Sequence, residues 1–227
     1  MVTGATGFWQ CPKMWAGSTV VVIGGGPSLR LLQWDLLWTM AKNSRFIACN
    51  DAYSLRWPDI CFFGDVGWHD IHSHLAAFEQ YGGLKITPAL ECLGFAGLSV
   101  MERKPLNPAK AVECLKEEKS HQITWFGNTG VTAILLAAKL GAKRIVLLGF
   151  DMMVDSGDGK ANWYHNLKSK PKPSIYSKFI VNAGLLAAAM HTIYPDVDVV
   201  NGLVAPYKSA LSVFETMDWK EALLERD

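Results

Sequence analysis

Thr19 to Leu29 read T-V-V-V-I-G-G-G-P-S-L, a β-branched run that changes abruptly into three glycines, a proline and a serine. Val20 to Ile23 have the continuous apolar character of a buried parallel strand, and the glycines allow a tight turn. Pro27 and Ser28 suit the start of a helix, which the pattern predicts through about Ala41. Unpaired amides at that helix start would face whatever lies above the strand, most naturally a phosphate.

Apolar strands and helical patterns alternate along the rest of the chain, which is typical of an α/β protein with a parallel sheet. We expect a Rossmann-like fold, with a mostly parallel twisted sheet and helices on both faces. We predict one domain over 1–227, with an irregular insertion at about 82–122 and a lid loop at about 152–173. The other predicted strands are 46–50, 60–63, 144–148 and 197–200, and the other predicted helices are about 68–81, 108–119, 131–140 and 174–193.

Polar residues and glycines recur just past the predicted strand ends or at helix starts. In open parallel sheets, ligands bind in the crevice at the carboxyl ends of the strands, so one pocket could collect all of these residues. We take them as candidate ligand-binding residues. They are Gly24, Gly25, Gly26, Pro27, Ser28, Asn50, Asp51, Asp65, Asn128, Thr129, Gly130 and Asp151.

The composition limits the class of protein. The 227 residues carry a formal net charge of +1, so no global field attracts nucleic acid or an anionic membrane. Hydrophobic residues make up 50% of the chain, but charged residues interrupt the longest apolar stretches, so no membrane span is predicted. No basic and apolar leader follows Met1, and the five scattered cysteines fit a reducing compartment. These features predict a cytoplasmic protein and leave the oligomeric state open.

Two familiar motifs are incomplete. The glycine loop, residues 24–28, is not followed by the Gly-Lys-Ser/Thr of a P-loop, so a P-loop kinase is not predicted. It is also an incomplete G-x-G-x-x-G motif, because Leu29 occupies the position of the last glycine. His69 and His72 share a helix face, but with Asp65 they fall short of a tetrahedral zinc site. We predict a solvated helix face there and no metal site.

His165 is a candidate general base. It lies in an irregular polar segment beside Trp163 and Tyr164, and three lysines follow it. An imidazole that titrates near neutral pH can take a proton from a hydroxyl, and nearby lysines can hold phosphates. The alternative is a surface histidine next to a basic loop.

Together and in this order, the motifs resemble the bacterial sialyltransferase family that modifies lipooligosaccharides. The family's A-G-N-G-P-S-L corresponds to residues 23–29, and its R-C-N resembles Ala48 to Asn50. Its next strand-end Asn resembles Asp65. Its T-S-G before a helix resembles Asn128 to Gly130, and its L-G-x-x-x-I-x-L-x-G-x-D resembles Leu140 to Asp151. The resemblance is closer still to uncharacterised phage and prophage proteins, whose His-Trp-containing loop resembles residues 162–165.

The resemblance implies a glycosyltransferase with a nucleotide-sugar as co-substrate and no firmly predicted cofactor. The glycine loop and Asn50 would hold the nucleotide of the donor, Thr129 would contact its sugar or phosphate, and His165 would activate an acceptor hydroxyl. His165 and Asp65 are thus the candidate catalytic residues. Gly25 stands where the family has an asparagine, and Asp65 replaces a neutral amide, so the donor stays open. The phage relatives imply a hydroxymethylated DNA base or a surface glycan as acceptor.

Two other functions remain open. The chain also resembles the hydroxymethylpterin pyrophosphokinase-like family, which shares the glycine loop and the Leu-Gly to Gly-x-Asp block. That diphosphate transfer would need Mg²⁺, held by carboxylates such as Asp65 and Asp151. The third function is a non-catalytic nucleotide-binding phage protein, because a fold does not fix a function.

Overall fold

The structure, a computed structural model, describes residues 7–55, 57–154 and 174–224. In these ranges the strands are β1 Thr19–Ile23, β2 Arg45–Cys49, β3 Ile60–Phe62, β4 Leu84–Thr87, β5 Leu98–Val100, β6 Glu102–Pro105, β7 Gln122–Trp125, β8 Arg144–Leu148, β9 Asp198–Leu203 and β10 Glu215–Asp218. The helices are α1 Trp34–Met40, α2 Val66–His72, α3 Ala76–Glu79, α4 Ala111–Lys116, α5 Thr129–Lys139, α6 Ser174–Ile193 and α7 Trp219–Ala222.

Eight strands form one parallel sheet, in the order β10-β9-β8-β1-β2-β3-β4-β5. Strands β2 to β5 follow β1 in order on one side of it. On the other side of β1 lie β8, β9 and β10, also in order. Strand order therefore reverses between β1 and β8, where open α/β sheets leave a crevice for ligands. Strands β6 and β7 form a separate parallel pair. The predicted Rossmann-like α/β fold is confirmed.

Helices cover both faces of the sheet because its central strands are apolar on both sides. Val20 and Val22 of β1 pack into one core with residues of α4, α5 and α6. Val21 and Ile23 point the other way, into a second core that includes residues of α1, α3 and α7. All four side chains are fully buried, as a central parallel strand requires. In the described ranges, no helix combines the length and apolar character that a membrane crossing needs.

The prediction of one long helix after the glycine loop is wrong. A short 3-10 helix, Pro27–Leu31, comes first, and α1 begins only at Trp34. The backbone of Leu32 between them is extended. Leu29 and Leu32 are both buried in the core below. Tertiary packing of these leucines therefore overrides the helical pattern of the sequence.

Other boundaries also differ from the sequence predictions. The predicted helix at 68–81 is two helices, α2 and α3. Strands β7 and β10 were not predicted. Strand β7 pairs with β6, whose polar sequence E-R-K-P has no apolar pattern that would predict a strand. In β7 itself, Ile123 is fully buried. The strand predicted at 144–148 matches β8 residue for residue.

Candidate functional site

A cavity of about 470 Å³ opens at the carboxyl ends of the strands, at the β1–β8 switch point. Its size is in the range of small-ligand sites. It is lined by residues from six separate parts of the chain, and many of them were predicted. The predicted residues at the cavity are Gly24, Gly25, Gly26, Asn50, Asp65, Asn128, Thr129 and Gly130. The others are Cys49, Trp125, Gly127, Gly149, Phe150, Met152, Met153, Ile175, Tyr176 and Phe179.

The glycine loop packs directly against the end of β8. A Cβ atom on Gly26 would lie 2.4 Å from the Asp151 carboxylate and 2.6 Å from the Gly149 carbonyl oxygen, so only glycine fits. The amide of Gly24 donates to the Leu148 carbonyl, and that of Gly26 donates to the Gly149 carbonyl, both at 2.8 Å. Both of these amides are therefore already paired within the protein.

Asp151 holds the same loop in place. Its carboxylate accepts hydrogen bonds from the Ser28 amide at 2.8 Å and from the Ser28 hydroxyl at 2.7 Å. Both residues are almost fully buried. Asp151, Ser28 and Pro27 are absent from the cavity lining of the described structure. Their contacts position the glycine loop, whereas the sequence had grouped them with the ligand-binding residues.

The start of α5, which the sequence analysis also named as a candidate binding site, has a geometry that suits an anion. Asn128 is its N-cap, and its side-chain oxygen accepts the Val131 amide at 2.9 Å. The amides of Thr129 and Gly130 find no acceptor in the part of the chain that the structure describes. Both residues line the cavity. The positive end of this eleven-residue helix and two unpaired amides can therefore hold a phosphate or carboxylate.

Asn50 offers a hydrogen-bond acceptor to a ligand. It follows β2 with a φ of 54°, in the left-handed region that asparagine tolerates better than most residues. Its side-chain oxygen is buried and has no hydrogen-bond donor among the described residues. Because buried polar atoms are normally paired, a ligand hydroxyl or amino group at the cavity would complete this site.

Apolar and aromatic side chains form another part of the cavity wall, and the sequence analysis did not identify them. Met152, Ile175 and Phe179 lie on this wall. Tyr176 is beside them, and burial, with a smaller effect of nearby Asp151, raises the pKa of its phenol. The hydroxyl thus stays protonated at neutral pH and can donate to a ligand oxygen. The signal in the sequence was position, since these residues lie at the two ends of the predicted lid loop.

Asp51 and the predicted solvated histidine face lie together, away from the cavity lining. Asp51 accepts a hydrogen bond from the Trp68 indole at 2.7 Å, and its carboxylate is 3.3 Å from Nε2 of His72. Nδ1 of His72 is 3.1 Å from the Tyr53 hydroxyl. His72 is partly buried, and His69 is buried, with its ring stacked on that of Phe63. The expectation of a solvated face is therefore wrong, because aromatic neighbours cover both histidines.

The His72 contacts predict a specific response to acid. Burial lowers the pKa of His72, and the charge of Asp51 opposes this in part. The folded state then binds fewer protons than the unfolded state just below pH 6.5, so stability falls as pH decreases from 6.5 towards the folded-state pKa. We expect the melting temperature of the wild type to fall more steeply below pH 6.5 than that of His72→Gln. His74→Gln, at an exposed histidine, is the control and should keep the wild-type profile. Parallel profiles for wild type and His72→Gln would contradict the assignment.

His165, like most of the predicted lid loop at 152–173, lies outside the described residues. The residues that bracket this segment in the described structure, Met153 and Ile175, both line the cavity. Among the described residues, no group of three histidine, cysteine, aspartate or glutamate side chains is placed to hold a metal ion.

Comparison with solved structures finds this fold in two glycosyltransferases. The MAf glycosyltransferase from Magnetospirillum magneticum AMB-1 matches 94% of this chain with a TM-score of 0.60 and 13% identity, and this chain spans 35% of the length of that protein. The sialyltransferase CstII from Campylobacter jejuni, solved with the substrate analogue cytidine-5′-monophosphate, matches 90% of this chain with a TM-score of 0.53 and 15% identity, over 86% of its own length. The sequence matches no protein-family model and no curated protein. At these identities the similarity establishes a shared fold.

Proposed function

We propose that this protein is a glycosyltransferase that moves a sugar from a nucleotide-activated donor to a hydroxyl acceptor. One observation carries the proposal. The glycine loop, Asn50, Asp65 and the start of α5 come from distant parts of the chain and line one cavity of about 470 Å³. That cavity offers two unpaired helix amides and one unpaired amide oxygen, which are complementary to a phosphate and to a ligand hydroxyl or amino group.

Each part of the donor has a matching group. The phosphate lies at the amides of Thr129 and Gly130, where the dipole of α5 favours negative charge. Asn50 accepts a hydrogen bond from the base or ribose, and the close-packed glycine loop lets the nucleotide approach the sheet. Tyr176 donates a hydrogen bond to the departing phosphate as charge develops on it.

His165 acts as the general base in this proposal. It removes the proton of the acceptor hydroxyl as that oxygen attacks the anomeric carbon of the sugar. The bond between that carbon and the phosphate oxygen breaks, and the phosphate leaves with the electron pair. The positions of Met153 and Ile175 support this role, because the described chain on each side of residues 155–173 lines the cavity. The acceptor is a surface glycan or a hydroxymethylated DNA base.

The diphosphate-transferring kinase fits the residues less well. It would need Asp65 and Asp151 to hold Mg²⁺ between phosphates. Asp65 is exposed at the cavity, but the Asp151 carboxylate is buried and engaged by Ser28. This donor set does not suit the ion. Activity that resists a chelator would favour the glycosyltransferase, and activity lost with a chelator would favour the kinase.

A nucleotide screen tests the proposal. CMP and CDP-, UDP-, GDP- and ADP-linked ligands are added while the melting temperature is measured. A ligand at 100 times its Kd stabilises the folded state by about 2.7 kcal/mol, which corresponds to a rise of roughly 5–10 °C at this size. If none of these nucleotides raises the melting temperature, the proposal fails.

Asn50→Gly tests the assigned contact. Glycine accepts the positive φ, so the variant removes the amide oxygen without straining the backbone. We expect the Kd of the nucleotide found in the screen to rise about tenfold, because a hydrogen bond to the ligand is lost. The melting temperature without ligand should stay close to the wild-type value. Unchanged affinity, measured by calorimetry, would contradict the role of Asn50.

A further inference from the structure

A second cavity, also about 470 Å³, adjoins the first. Trp125 and Gly127 line both cavities, so a molecule in one is in contact with the wall of the other. The second cavity is lined by residues from the end of β6 and from α6. The proposed donor site does not use its other lining residues.

Two cations and several apolar side chains define the second cavity. Pro105 and Leu106 form apolar wall, and Arg103 and Lys178 supply positive charge from opposite sides, one on β6 and the other on α6. Within the described ranges, no carboxylate lies within ion-pair distance of either cation. The cavity is therefore positively charged, and no carboxylate of the described residues neutralises its two cations.

Arg103 is held rigidly in place. Its Nε donates to the Pro88 carbonyl at 3.2 Å, and its Nη2 donates to the Gly64 carbonyl. The guanidinium carbon also lies 4.4 Å from the centre of the Trp125 ring. These contacts leave both hydrogens of Nη1 without an acceptor in the described chain. A fixed guanidinium with unused donors binds a carboxylate or phosphate with little loss of side-chain entropy.

We propose that the second cavity binds the acceptor and that this acceptor is an anionic sugar, with a carboxylate or a phosphate. The proposal rests on the glycosyltransferase function, since it names the substrate that would receive the transferred sugar. The anion pairs with Arg103 and Lys178, and the carbon skeleton of the sugar packs on Pro105 and Leu106. A hydroxyl of the same sugar can then face the donor cavity across the shared Trp125 and Gly127.

Matched sugars test the proposal directly. The binding of 3′-sialyllactose is compared with that of lactose, and mannose 6-phosphate with mannose, by calorimetry in the presence of the nucleotide that binds the first cavity. We expect at least one charged sugar to bind about tenfold more tightly than its neutral partner. We also expect this preference to shrink at high salt, because the cations are partly exposed. The two pairs distinguish carboxylate from phosphate recognition.

Three variants identify the cations responsible. Lys178→Gln, on the surface of α6, should weaken binding of the charged sugar about fivefold, and Arg103→Gln should weaken it about tenfold. Neither should alter binding of the neutral sugar, and Lys178→Gln should leave nucleotide affinity unchanged. Lys42→Gln, at an exposed lysine after α1, is the matched control and should change nothing.

The outcomes separate this inference from the proposed function. If a nucleotide binds but charged and neutral sugars bind equally, or if Lys178→Gln leaves the preference intact, the acceptor inference is wrong and the glycosyltransferase proposal stands. If no nucleotide binds, the proposed function fails and the acceptor inference fails with it.

Discussion

Gly26→Ala should destabilise the protein by about 2 kcal/mol, lower its melting temperature by roughly 4–8 °C and weaken nucleotide binding at least tenfold. The added methyl would meet the Asp151 carboxylate at 2.4 Å and the Gly149 carbonyl oxygen at 2.6 Å. Neither group can move freely, because one is bound to Ser28 and the other is backbone that accepts the Gly26 amide. The glycine loop must therefore shift. Because this loop lines the ligand cavity, the shift changes the shape of the binding site. Thermal denaturation and calorimetry measure the two effects.

Gly82→Ala is the control for this substitution. Its added methyl would meet nothing within 4 Å, and its φ lies outside the left-handed region. We expect stability and nucleotide affinity to change little there. A Gly26→Ala variant as stable as Gly82→Ala would show that the loop relaxes without strain, and the argument from close packing would then be wrong.

His165→Ala should lower turnover by about 100-fold or more while nucleotide affinity stays near the wild-type value. A general base acts in the transition state, so its removal lowers kcat and kcat/KM together and leaves ground-state donor binding intact. The rate of sugar transfer is measured with the nucleotide-sugar found in the screen, and the Kd of the nucleotide is measured on the same samples.

His191→Ala provides the comparison for His165→Ala. His191 is an exposed histidine on the last turn of α6, and its substitution should leave turnover unchanged. Equal turnover in His165→Ala and the wild type would remove the general-base assignment. A large loss of nucleotide affinity in His165→Ala would instead make this residue part of the binding site.

The fold was predictable because its central strands are apolar on both faces. Residues 144–148 are all apolar except the terminal Arg144, which is typical of a buried parallel strand. Strand β8 has those same bounds. The cavity followed from topology, since strand ends in a parallel sheet meet at one edge whatever the side chains are. Asn50, Asp65 and Thr129, which follow strand ends or begin a helix, all line that cavity.

The finer features depended on contacts between residues far apart in sequence. No local pattern indicates that the Gly26 amide donates to the Gly149 carbonyl, or that the Asp151 carboxylate accepts two hydrogen bonds from Ser28. The same holds for Tyr176 and Trp125, because no local pattern indicates that the fold brings them to the cavity. Sequence reasoning located the edge of the sheet that carries the site, but it could not say which hydrogen-bonding groups there were still available.

The dispersal of the cavity lining along the chain, from Gly24 to Phe179, has a consequence for folding. No contiguous fragment up to β3 or from β8 onward contains a complete set of ligand contacts, so ligand recognition belongs to the finished tertiary structure. A bound nucleotide would couple the loop after β1 with the end of β8 and the start of α6 into one cooperative unit. It would act against global unfolding, with little influence on fraying at β10, at the far edge of the sheet.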